Sequence, residues 1–343
     1  MSRFLGLVRV ELSRLRARRA LLVILAAAVV VPLVVAVAIV IDTSPPSATE
    51  IAQAEREAAS FSDDRFIRRD VDRCLDRPGR YGVDPGVRDE ADALRAACED
   101  IVIPSAEDFL YTQPLDLDME RELGSGLAVV TLLGALLFVA GTTFVGHDWS
   151  TGSMSNQLLF EPRRLRVWTA KALALAVAAG AVGLVVLTTY WLGLYVVVRG
   201  RDQAVPEGTL LDCLQHGWRG AGVVAASAVG GYALTMLSRS TVFSLGLLFG
   251  VSVAGGLLLA TVGPRDPGPV DPTINAQAVI GDGTTYYVEP PEACFRDDSL
   301  AATDLDCSFE RSRSLGEGLG YFGVLLGVVG VASLGSYRRR DVP

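Results

Sequence analysis

The chain has 343 residues, 50 % of them hydrophobic and 20 % charged, with a formal net charge of −8 and a mean hydropathy of +0.36. Soluble domains carry about a quarter charged residues, whereas here long uncharged stretches alternate with strongly charged ones. That segregation marks a membrane protein rather than a soluble globular one, and no nucleic-acid partner is expected. Of the 31 basic residues, Lys171 is the only lysine. The arginine excess, with abundant Ala, Gly, Val and Asp, fits a GC-rich genome.

Residues 1–19 read as a cytoplasmic amphipathic interface helix that also carries Glu11. Leu5, Val8, Leu12 and Leu15 share one face, with Arg9 and Arg16 opposite, so the helix is expected along the bilayer surface. Residues 20–41 follow without a charge. They supply the roughly 20 apolar residues that a ~30 Å hydrocarbon core requires, with Pro32 as a kink site. The run exceeds the 7–15 residues of a signal-peptide core, and no small-x-small cleavage site follows at 42–46. It is read as an uncleaved span. Further apolar runs at 126–145, 172–198, 220–237, 241–262 and 319–336 bring the expected spans to six.

Arginine placement orients them. Residues 1–19, the 146–171 segment with Arg163, Arg164, Arg166 and Lys171, Arg239, and the tail 337–343 all fall on one side. That side is expected to be cytoplasmic, with both termini inside, in the cell (plasma) membrane. The segments 42–125, 199–219 and 263–318 are then external.

The expected fold is thus an all-α polytopic membrane protein: six transmembrane helices, an N-terminal amphipathic interface helix and two sizeable external loops. The first loop, 42–125, reads as a small helical subdomain. Ser47-Ala48-Thr49-Glu50 is a capping-box pattern. Helical stretches at 63–75 and 87–100 flank the breakers Pro78-Gly79 and Asp84-Pro85-Gly86.

All five cysteines fall in the external segments. One disulfide per loop, Cys74 with Cys98 and Cys294 with Cys307, is the simplest of three connectivities. Cys213 is left as a free thiol or a bridge to a partner subunit. A metal site is disfavoured, since no C-x-x-C occurs and the only histidines, His147 and His216, fall on opposite faces.

The segment after the second span carries most of the functional signal: Gly146-His147-Asp148-Trp149-Ser150-Thr151-Gly152-Ser153, then Leu158-Leu159-Phe160-Glu161-Pro162-Arg163-Arg164, then Lys171. Asp148 reads as a helix-start residue, Gly152 as a tight bend, and Pro162 as the first turn of a new helix. Leu158, Leu159 and Phe160 put an apolar knob on a polar connection. Docking of a cytoplasmic partner and an ordinary interfacial connection whose arginines meet anionic lipid both fit.

This segment resembles the signature of ABC-2 type transporter permeases. The resemblance rests on Asp148-Trp149, Gly152-Ser153, Leu158-Leu159, Pro162-x-Arg164 and Ala170-Lys171, with Asp and Ser where the family more often has Glu and Thr. The stretch 8–15 is similar to the family's interface helix, and 337–342 to its basic ending. The resemblance implies the permease subunit of an ATP-driven transporter, usually an exporter. It implies two permease subunits, as a homo- or heterodimer, and two separate ATPase subunits that hold ATP and Mg. Asp148, Trp149, Gly152, Leu158, Leu159, Phe160, Pro162, Arg164 and Lys171 would then receive the ATPase stroke.

The chain has no phosphate-cradling G-x-x-x-x-G-K-[ST] loop, because its single lysine follows Thr169-Ala170. It is therefore read as a non-enzymatic subunit without a bound cofactor. No Asp, Glu, Lys or Arg lies within the six apolar runs, which disfavours proton-coupled transport. Asp116, Asp118, Glu120 and Glu122 read as a solvated external face rather than a cation site. Gly246-x-x-x-Gly250 and Gly323-x-x-x-Gly327 permit close helix approach and are read as intrachain packing in preference to a dimer seam. Tyr190, Trp191 and Tyr195 read as interfacial aromatics. The competing function is a non-transporting membrane protein whose disulfide-stapled external domains bind a ligand or anchor an assembly. An intramembrane enzyme lacks a convergent set of polar groups in its spans. Lipid, peptide, drug and polysaccharide all remain open as substrates.

Overall fold

An apolar stretch in a bilayer must pair its own backbone groups, and a helix does so within one segment. The computed structural model describes residues 2–62, 64–87, 90–110, 114–264, 266–289, 294 and 307–339. Among them, six helices are long and apolar enough to cross a membrane. They are α2 (Arg19–Asp42), α7 (Ser125–Ser150), α9 (Arg164–Gly200), α10 (Thr209–Ser238), α11 (Thr241–Val262) and α13 (Leu315–Arg339). Shorter helices are α1 (Ser2–Ala17), α3 (Ala48–Ser62), α4 (Arg65–Asp76), α5 (Ala91–Val102), α6 (Leu117–Glu122), α8 (Ser153–Phe160) and α12 (Pro272–Gly281). The basic tail beyond Arg339 lies outside the described residues.

The fold is not wholly helical. Strands β1 (Thr284–Tyr287) and β2 (Glu310–Arg313) form an antiparallel pair, Thr284 opposite Arg313 and Tyr287 opposite Glu310. Four residues are too few for an alternation signal to be read from sequence. The flanking Cys294 and Cys307 are disulfide-bonded.

The chain divides into two compact units, one of Met1–Val37 with Asp116–Pro343 and one of Ala38–Leu115. In the smaller unit, Ser47 and Glu50 form the reciprocal capping box that opens α3: the Ser47 backbone N–H donates to Glu50 Oε2 at 2.7 Å and the Glu50 N–H to Ser47 Oγ at 3.3 Å. Asp64 caps α4 by accepting from the Phe66 N–H. Cys74 on α4 is bonded to Cys98 on α5, and both are fully buried in one cluster with Val71 and Val83. The Tyr81 hydroxyl donates to Asp70 at 2.6 Å, which holds its phenol above the ordinary pKa. A core this small depends on its staple. Cys98→Ser is expected to cost this unit about 3 kcal/mol, so limited trypsin digestion should open the arginine-rich 65–80 stretch while the larger unit stays intact. An unchanged digestion pattern would show that the staple contributes nothing.

The larger unit is built around α10, which packs along both α7 and α9. Its buried face is small: Gly217, Gly220, Ala221, Ala228 and Gly231 lie within it. A Cβ placed on Gly141 of α7 would run into the main chain of Ala228, and one on Gly231 into the main chain of Phe138. Backbone touches backbone at this crossing. By contrast, a Cβ on Gly246, Gly250, Gly323 or Gly327 meets nothing within 4 Å. The two small-x-x-x-small motifs therefore make no intrachain packing, contrary to expectation. Helix α11 is the least covered of the six spans.

One other expectation is corrected. Tyr190 and Trp191 point inward rather than to an interface: both are buried, and the Tyr190 hydroxyl donates to Ser125 Oγ at 2.5 Å. The acidic run, by contrast, stays open to its surroundings as expected, and its carboxylates are paired as well. Asp116 caps α6, Asp118 pairs with Arg121 at 3.1 Å and accepts from Thr209, and Glu120 accepts from the Ser125 N–H at 2.9 Å. Cys213 is a buried free thiol whose Sγ lies 3.8 Å from the Leu117 carbonyl, out of reach of a partner subunit.

Candidate functional site

Helix α1 presents Phe4, Leu7, Val8, Glu11 and Leu15 at helical spacing, and packs Val8 against Ala170 and Ala174 of α9. The face is the expected one at Val8, Leu12 and Leu15 and departs from it at two positions. Leu5 is 59 % exposed, whereas Glu11, a carboxylate, is fully buried. A buried charge is retained only when it is paired and hydrogen-bonded, and Glu11 is.

Its partner is the single lysine. Lys171, two turns into α9, is completely buried. Its Nζ donates to Glu11 Oε2 at 2.8 Å and to Asp148 Oδ2 at 2.7 Å, and lies 5.1 Å from the centre of the Phe144 ring. The remaining carboxylate oxygens are also taken. Gln157 Nε2 donates to Glu11 Oε1 at 2.6 Å, with Arg14 beside it at 3.4 Å. Ser153 Oγ donates to Asp148 Oδ1 at 2.7 Å. Arg18 donates to the same oxygen and to the Phe144 carbonyl. Two fully buried carboxylates thus face Lys171 and Arg18, balanced in charge.

Local geometry explains how residues 160 positions apart meet. Asp148 lies in the last full turn of α7, not at a helix start as its residue type suggests. Apolar runs understate the helices: α7 continues past residue 145, and α9 begins at Arg164. Ionisable residues therefore stand inside both long helices, outside the apolar runs in which none occurs. Gly152 has φ +70°, the left-handed conformation that glycine enters without cost, and it turns the chain directly into α8. That reversal brings Ser153 back to Asp148. Helix α8 buries Met154 and Gln157, three residues apart, and leaves the opposite side uncovered: Leu159 is 79 % and Phe160 90 % exposed. Leu158 is half-buried. Pro162 precedes α9 by two residues rather than forming its first turn.

A second set of contacts locks the end of α13 to this assembly. Tyr337 is buried, its hydroxyl 3.4 Å from Met154 Sδ and its ring edge-on to Trp149 at 6.2 Å. Arg164 Nη1 donates to the Tyr337 carbonyl at 2.8 Å, and Trp168 Nε1 to Ser333 Oγ at 3.1 Å. Arg239, in the α10–α11 turn, stacks over Trp149 at 4.6 Å. Of the residues singled out from sequence, Glu11, Asp148 and Lys171 thus form one cluster, Trp149 and Arg164 flank it, and Leu159 and Phe160 project from the short helix it anchors. Arg18, Phe144 and Gln157 were not anticipated, and Ser153 and Tyr337 figured only within the matched motifs. Gln157, a polar residue beside an apolar triplet, offered no positional signal. Glu11 did, through its i+3 spacing from Val8.

Chemically the cluster is closed: each carboxylate oxygen and the ammonium has a partner within the protein. It offers no free base, nucleophile or metal-ligating group, and among the described residues no three His, Cys, Asp or Glu side chains are grouped to hold a metal ion. Its capability is mechanical, joining α1, α7, α8 and α9. The chain matches no family model, no curated protein and no solved structure, so the site's own geometry is the basis for reading it.

Proposed function

We propose that this chain is the permease subunit of an ATP-driven ABC transporter, an exporter of the ABC-2 type, with the Lys171 end of its helices in the cytoplasm. A separate ATPase docks on α8. The observation that supports this reading is the pairing of an exposed apolar knob with a rigid mount. Leu159 and Phe160 stand uncovered on an eight-residue helix whose inner side is tied through Ser153 to Asp148 and through Gln157 to Glu11. An uncovered Leu-Phe pair offers an apolar foothold to a partner, and a push on it reaches α7 and α9 directly through the Lys171 ion pairs. The second permease subunit, the bilayer and the nucleotide-bearing ATPase are the partners this reading requires.

Co-expression with the ATPase of its own operon, followed by tag purification, tests it. Leu158→Ala/Leu159→Ala/Phe160→Ala is expected to reduce ATPase recovery by about tenfold or more, the effect of removing a small apolar hot spot, with an unfolding midpoint like that of the parent chain. Full recovery of the ATPase with the triple variant would sink the docking assignment. The autonomous, disulfide-stapled unit Ala38–Leu115 favours the second reading, a ligand-binding or anchoring membrane protein. That reading expects function to survive loss of the ATPase and to fail with Cys98→Ser.

A further inference from the structure

At the end of α7 remote from Lys171 the helices line a half-open cavity of about 550 Å³, bordered by α12 and the β1–β2 pair. Its size is that of a small-molecule site, ~300–1,000 Å³. Its wall combines apolar side chains, Leu123, Leu127 and Ile280, with two guanidinium groups, Arg121 and Arg313, and one carboxylate, Glu122; Asp118 and Glu317, outside the wall, pair with the same two arginines.

The polar groups are held, yet incompletely used. His216 of α10 is 95 % buried by its 5 % exposure and lines the cavity. Neither ring nitrogen completes a well-formed hydrogen bond among the described residues, and its contact with the Gly126 main chain is a minor one. Trp191 packs against the imidazole edge-on, with ring centres 5.7 Å apart. Arg121 gives its Nη2 to Asp118 and Glu122 at 3.1 and 3.0 Å, while its buried Nε has no partner. Arg313 is fixed from behind: its Nε donates to Asn275 Oδ1 at 3.1 Å and its Nη1 to Glu317 Oε1 at 3.3 Å, leaving Nη2 for a further acceptor, and Asn275, fully buried, donates to the Gly268 and Asp271 carbonyls at 2.8 Å each. Such a scaffold for one arginine is more than a surface ion pair needs. Buried donors left unpaired cost free energy, and what Arg121 Nε and an imidazole N–H lack is an acceptor. The group that satisfies several convergent donors beside two guanidiniums is an oxyanion.

We propose that this cavity binds an amphiphile with an oxyanion head, a phosphate or carboxylate, its head toward Arg121, His216 and Arg313 and its short apolar part against Leu123, Leu127 and Ile280. The site stands apart from the Lys171 cluster and does not depend on the transport reading.

With only two histidines in the chain, ¹⁵N imidazole NMR of the full-length protein in maltoside micelles reports on the site, with His147 as internal control. Titration with octyl phosphate is expected to shift the His216 resonances saturably and leave those of His147 in place. Octanol, of the same apolar length without the anion, is expected to leave both in place. Arg313→Gln should weaken binding by about tenfold or more, the effect of losing a charge-assisted hydrogen bond, and Arg313→Lys should restore part of it. Glycerol phosphate and phosphatidylglycerol distinguish the sources: a shift with the first marks a soluble ligand, and with the second alone a lipid headgroup. No saturable His216 shift with any of these anions, or an equal shift with octanol, overturns the proposal. The parent-chain titration decides this even if the Arg313 variants fail to fold.

Discussion

Replacing Lys171 by methionine is expected to destabilise the protein by about 3–5 kcal/mol, the cost of stranding a buried charge whose partner has been removed. The loss falls on two groups at once. Glu11 and Asp148, each fully buried, lose the ammonium 2.8 and 2.7 Å away, leaving Arg18 on the Asp148 side and half-exposed Arg14 on the Glu11 side. Lys171→Arg should not restore the parent stability. The site accepts a compact ammonium between two carboxylates and over a ring, whereas a guanidinium is planar, longer and directs its donors as a fork. It is expected to cost about 1–3 kcal/mol through overpacking. The double variant Lys171→Met/Glu11→Gln removes one charge of each sign and leaves Asp148 with Arg18, so it should be more stable than Lys171→Met alone. Denaturation followed by tryptophan fluorescence in micelles measures all three. If Lys171→Met unfolds with the parent, the cluster is not the joint described here.

Gly231→Leu and Gly141→Leu are expected to cost about 3 kcal/mol or more each, or to abolish recovery of folded protein. At both positions a side chain would displace backbone rather than a flexible group, and a packed helix pair has no rotamer to offer in relief. Gly246→Leu and Gly323→Leu add apolar surface where no neighbour stands, and are expected to stay within about 0.5 kcal/mol of the parent chain. Recovery of monodisperse monomer and its unfolding midpoint check the contrast. A Gly231→Leu protein as stable as the parent would mean that α7 and α10 cross more loosely than described.

Glycine shows how far sequence carries this fold. Both G-x-x-x-G motifs read as packing sites, yet the glycines at the helix crossing are Gly141 and Gly231, which stand in no such motif. Spacing along one helix states that a backbone can be approached, but which neighbour approaches is settled by tertiary geometry. The aromatic residues teach the same lesson, since Tyr190 and Trp191 suit a membrane interface by composition but point into the protein. The candidate site was partly legible. Glu11 at helical spacing from Val8, and one lysine in a chain of arginines, both stood out in the residues alone. That they join across 160 positions did not, because the contact depends on the left-handed turn at Gly152 and on the packing of α1 against α9. Asp148, read as the start of a helix, belongs to the end of one, because an Asp side chain caps or pairs according to its surroundings.

What the sequence determined unaided was the set of six long apolar helices, since twenty uncharged residues have one way to satisfy their backbone in a bilayer. Which faces of those helices are buried, which charges meet and which donors converge on the cavity beside His216 was decided only by the tertiary structure. Hydrophobicity acts on each segment separately, whereas ion pairs and close backbone contacts exist only between segments once they are packed.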